Sequence, residues 1–242
     1  MQVIDTVRSR NGSSQGVPPT TDPQIIAYRI LRWTVGMIGM LLPFALFVGQ
    51  NVINQFPQKP DISPYPNISD HIVLDSLSSY HWSGMRDVFA GGLCAIGFFL
   101  LAYPGISKWE SRIGNLACIF AVGVALFPCS KLGDSSYTWY NIAHYACAGC
   151  LFFILACFCH FSFPKPEPGH SQLPRKPLRI KIYKSCAVLI VFCIVAIALV
   201  GHVLSKEWEG LTQLVFAFET LAIWAFGFSW FVKGGGFKWV QG

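Results

Sequence analysis

"YHWSGMRDVFAGGLCAIGFFLLAYPG", residues 80–105, decides how this chain is read. His81, Arg86 and Asp87 stand directly before a run, 88–102, that carries no charge at all. Ser83 suits a helix cap, Asp87 one turn later suits the positive end of a helix dipole, and Trp82 suits a membrane–water boundary. The stretch therefore predicts a helix that enters a bilayer here and leaves it near Tyr103.

The rest of the chain repeats the pattern. Of 242 residues, 53% are hydrophobic and 12% are charged, against roughly a quarter charged in an average soluble domain. A helix needs about 20 mostly apolar residues to cross a bilayer core. Six segments qualify: 30–53, 85–103, 113–129, 141–163, 183–204 and 212–232. The fold class is all-α, a polytopic bundle of six transmembrane helices between a flexible tail, 1–29, and a short tail, 233–242. The first tail is polar and the first apolar run is long and late, so a membrane anchor is expected and a cleaved signal peptide is not.

Lysine and arginine are retained on the cytoplasmic side of short loops. With the N-terminus inside, only Lys59, Arg86, Lys131 and Lys206 of the 18 fall outside, while Asp61, Asp70, Asp75, Asp87, Asp134, Glu207 and Glu209 gather there. Both termini are thus expected in the cytoplasm. The net charge of +6 suits anionic lipid headgroups at that face and calls for no nucleic acid. Protein partners are not legible.

The first outer loop, 54–84, carries Pro57, Pro60, Pro64 and Pro66 and then an amphipathic segment, which reads either as a lid or as a solvated connector. Asn67-Ile-Ser is a glycosylation sequon on the same side. The proline-rich basic loop 164–181 reads as a semi-rigid linker. The nine cysteines fall within or at the edges of spans, where small packing residues are the simpler reading. Ala117, Ala121 and Ala125, and the pair Gly91 and Ala95, are expected to be helix-packing seams. Pro43 and Pro128 are expected to kink or end their helices.

Ionisable residues at membrane depth are costly unless paired or hydrated, so they mark candidate sites. Glu219, His144, His202 and Asp87 all fall in the outer leaflet, with His81 and Asp134 at the same level in adjoining loops. Two readings stand. In one, Arg86 and Asp87 form an ion pair at a helix start and the others hydrogen-bond between helices. In the other, these side chains surround a water-accessible pocket: His144 and His202 as zinc ligands, Asp87 and Glu219 as catalytic carboxylates, His81 and Arg86 binding ligand or proton.

The blocks "YHWSGMRDVFAGGLCAIGFFLLAYPG", "NLACIFAVGVALFPCS" and "ETLAIWAFGFSWFVKG" resemble the signature blocks of a family of uncharacterised six-span integral membrane proteins of bacteria. The resemblance implies that topology and a bacterial inner (plasma) membrane, and no activity. Ser79, His81 and Asp87 distantly resemble the early zinc-site residues of the alkaline ceramidase and adiponectin-receptor-like membrane hydrolases, although the late His-x-x-x-His pair of those proteins is absent.

Three functions follow. A membrane-embedded, metal-dependent hydrolase of a lipid or amide would use the zinc arrangement. A small-ligand carrier or receptor would use the same pocket with Glu219 as charge partner. A structural or partner protein would spend the polar residues on helix packing. No GxSxG, HExxH or phosphate-cradling glycine loop decides among them.

Overall fold

A computed structural model describes residues 23–55, 74–103, 105, 107–130, 138–165, 176–201 and 213–236. Among these the chain is all-helical. Helix α1 is Pro23–Asn54, α2 Arg86–Ala102, α3 Lys108–Leu126, α4 Trp139–Cys157, α5 Lys176–Leu199 and α6 Gln213–Lys233. A 3₁₀ segment, Ser78–Trp82, precedes α2, and a π turn, Phe158–Ser162, extends α4. Five helices are long and apolar enough to cross a membrane by length and composition: all but α2, which has 17 residues. This is the pattern of a multi-pass membrane protein. Residues such as Phe44, Ile119, Phe153 and Val188 turn large apolar side chains outward, as lipid-facing helices do.

Each helix packs on its neighbours in sequence, and α6 closes the ring against α1. Contacts fix the directions. Trp224 Nε1 donates to the Met40 carbonyl, and Arg29 Nε lies 3.5 Å from the Gly234 carbonyl, so α1 and α6 run antiparallel and place the start of one beside the end of the other. Small residues set the closest approach. A Cβ on Gly36 would lie 2.8 Å from the Gly227 carbonyl oxygen, and one on Gly227 the same distance from that of Gly36. Between α2 and α3, Gly97 meets Ala121 and Gly114 meets the Leu100 carbonyl. Ala117, Ala121 and Ala125 are buried as expected. Gly91 is not a seam, because a Cβ there would meet nothing within 4 Å. Pro43 lies inside α1, which continues through it, whereas α3 ends two residues before Pro128.

The end holding the start of α1 and the end of α6 is closed by aromatic packing. Trp230, fully buried, meets Tyr103, Phe158, Phe163 and Phe226. Arg32 donates to the Tyr103 hydroxyl at 3.1 Å, and Lys165 reaches the wholly buried Glu110 at 3.3 Å. Ser107 caps α3 by accepting from the Glu110 N–H, which starts that helix five residues before the apolar run at Ile113. At the opposite end, the 3₁₀ segment folds over the bundle.

Candidate functional site: a polar clamp on the loops

Leu77, Ser78, Tyr80 and His81 of the segment that precedes α2 are buried. They are buried against the apolar core and against polar groups from α4, α6 and the turn that follows α3. Glu219, on α6, turns both carboxylate oxygens to the segment: Oε2 accepts the Leu77 main-chain N–H at 2.6 Å, and Oε1 accepts weakly from the Ser78 hydroxyl at 3.4 Å. Cys129 donates its thiol to the Ser78 carbonyl at 3.2 Å, and Trp82 returns a bond from its indole N–H to the Cys129 carbonyl at 2.9 Å. Phe216 N–H donates to the Asp75 carbonyl, tying the first turn of α6 to the same segment.

Helix α4 holds the neighbouring turn, 127–130. Its Asn141 side chain donates to the Pro128 carbonyl at 3.0 Å while accepting from the Thr138 N–H and hydroxyl. His144 Nδ1 lies 2.7 Å from the Phe127 carbonyl. A carbonyl only accepts, so Nδ1 carries the proton and Nε2 is left with a lone pair. Tyr145 bonds both the N–H and the hydroxyl of Ser130.

Two imidazole nitrogens in this layer, His144 Nε2 and His81 Nδ1, are buried without a hydrogen-bond partner among the described residues. Burial pushes His81 down to about 4, and the Arg86 guanidinium and the His144 imidazole push in the same direction. His81 is therefore neutral at pH 7.

The sequence-predicted site residues divide accordingly. Glu219, His144 and His81 are buried in one layer at the same end of the bundle. Arg86 and Asp87 are exposed on the first turn of α2. His202 and Asp134 lie outside the described residues, as do Asn67 and its sequon and most of the expected lid. Among the described residues no three His, Cys, Asp or Glu side chains gather as a metal would require. A zinc site on those described residues is short of ligands: His144 keeps a lone pair on Nε2, but Glu219 is turned to Leu77 and Ser78, and Asp87 is exposed on α2.

Three contributors escaped the sequence reading. Cys129 was expected only to pack, Asn141 sits at a span start where a polar residue is ordinary, and Leu77 takes part through its main chain. Beneath the layer is a cavity of about 40 Å³, room for one or two waters. Leu46, Leu93, Leu151 and Phe226 line it, and Glu219 and Ser78 are its polar lining. Comparison of the chain with known protein families, curated proteins and solved structures finds no match.

Proposed function

We propose that the chain is a six-span integral membrane protein with a structural or partner role, whose outer-leaflet polar residues form a clamp that shapes its outer loops. One observation carries the reading: Glu219, Cys129, Trp82, Asn141 and His144 each bond the main chain of residues 77–78 or 127–129. Side chains at membrane depth are thus spent on loop backbone, where unpaired groups would be costly.

Helix α2 is taken as the sixth span. Its 17 residues reach about 26 Å at 1.5 Å per residue, the lower limit for crossing, and it packs between α1 and α3. Six spans agree with the Arg29–Gly234 contact, which brings both ends of the bundle to one side. The lysine and arginine bias assigns that side to the cytoplasm, with anionic headgroups beside it.

The second reading, a small-ligand carrier or receptor, draws on the cavity under the clamp and on Glu219 at its wall. Metal-dependent hydrolysis draws the least support, because exposed Asp87 is apart from the buried layer.

The deciding experiment compares wild type with Glu219→Gln and Glu219→Ala for small molecules that co-purify in detergent and for labelling of Cys129 by a membrane-impermeant maleimide. A partner role predicts that no bound molecule depends on Glu219 and that Cys129 labelling rises in the alanine variant. A molecule retained by wild type and lost from Glu219→Gln sinks the structural reading in favour of a receptor.

A further inference from the structure

The larger of the two described spaces is not at the polar clamp. It is a groove of about 600 Å³ between α1 and α2, open to the lipid side and lined by Ile30, Met37, Leu41 and Ala45 of α1 and by Gly92 and Ala95 of α2. Its size falls in the range of ordinary ligand pockets. Thr34, its hydroxyl-bearing member, spends that hydroxyl on the Ile30 carbonyl, so the walls offer a ligand almost nothing but hydrocarbon.

Length and width select the occupant. From Ile30 to Ala45 the groove follows α1 for roughly 22 Å at 1.5 Å per residue, past the midpoint of a ~30 Å hydrocarbon core. A helix of that length and about 10 Å diameter occupies roughly 1,700 Å³ and would seat only one side in a groove of this size. Large side chains at Trp33, Met37 and Leu41 also deny a partner backbone the close approach that small residues give. A single flexible hydrocarbon chain fits.

Charge selects the headgroup. Arg29 lies one turn before Trp33 on the same face of α1, at the groove's end, and is exposed. Its one described bond, to the Gly234 carbonyl, is long at 3.5 Å, which leaves most of the five guanidinium donors for another acceptor. No acidic residue occurs in α1, and the last turn of α6 beside it is basic through Lys233.

We propose that this groove holds one acyl chain of a phospholipid with an anionic headgroup, drawn from the leaflet at the α1 N-terminal end, with the phosphate against Arg29. The site is independent of the clamp and of the function proposed above.

The test is native mass spectrometry of the full chain, released from bilayer discs of equal phosphatidylglycerol and phosphatidylcholine. One retained lipid per chain is expected, with phosphatidylglycerol favoured about fivefold. Ala95→Phe fills the groove and should abolish retention; Met37→Trp, on the exposed rim, should do the same without touching buried packing. Arg29→Gln should keep a lipid and lose the preference. Equal retention of both lipids in wild type overturns the headgroup assignment. Undiminished retention in Ala95→Phe and Met37→Trp places the lipid elsewhere, and a dimer that either variant dissociates makes the groove an interface between copies.

Discussion

Glu219 and Leu77 stand 142 positions apart, yet the carboxylate of one accepts the main-chain N–H of the other at 2.6 Å. That bond fixes the segment before α2 against the last helix of the ring. Glu219→Ala leaves a buried N–H without its acceptor, a loss of about 1–3 kcal/mol, whereas Glu219→Gln keeps an acceptor oxygen and should cost less than about 1 kcal/mol. Thermal unfolding in detergent measures the difference. Equal melting of wild type and the alanine variant would mean that the bond contributes nothing to stability.

Much of this fold was readable in advance because bilayer thickness imposes one long apolar run per crossing. The expected starts at 85, 141 and 212 fall within two residues of α2, α4 and α6. Helix α3 begins earlier than its apolar run because Ser107 caps it and buried Glu110 is paired, and neither fact is a hydropathy signal. The layer of Glu219, His144 and His81 was legible as residues of similar depth. Asp87 was not separable from them, because depth says nothing about which way a helix is rotated. Gly91 and Ala95 illustrate the same gap: small-residue spacing marks a surface that allows close approach, and here Ala95 borders an open groove while a Cβ on Gly91 would meet nothing within 4 Å.

Acid should loosen the segment before α2. His81 is a base whose folded value, about 4, lies below its ordinary 6.5, so its stabilising contribution is complete above pH 6.5 and is lost as pH falls toward 4. The loss is about 2 kcal/mol by pH 5 and about 3 kcal/mol in the limit, at 1.36 kcal/mol per unit. Hydrogen exchange at the Leu77 amide should accelerate over that window, and His81→Phe should flatten the dependence. A profile unchanged by His81→Phe would assign the transition to another group.

The α1–α6 crossing depends on the absence of two side chains. Gly227→Ala would put a methyl 2.8 Å from the Gly36 carbonyl oxygen, and overpacking of this kind costs about 1–3 kcal/mol. Gly149, on α4, has nothing within 4 Å of its added Cβ. Gly149→Ala should therefore be stabilising by up to about 1 kcal/mol through helix propensity alone. Parallel melting curves of the two variants test the contrast; equal shifts would show that the crossing has slack which the carbonyl contact does not reveal.

Glu110 and Lys165 form an asymmetric pair, the carboxylate fully buried and the lysine 43% exposed. An exposed pair is worth about 0–1 kcal/mol, and breaking a wholly buried one costs 3–5 kcal/mol. The present pair should fall between, because removing lysine takes the ammonium from a carboxylate that water cannot reach, while removing glutamate leaves an ammonium that water partly solvates. Lys165→Met should therefore destabilise by about 2 kcal/mol, and Glu110→Gln by about 1 kcal/mol. The double variant should recover part of the Lys165→Met loss, since no buried carboxylate remains. Thermal unfolding of the three variants completes the cycle, and strictly additive losses would mean that Glu110 is held by its other surroundings and that the ion pair is incidental.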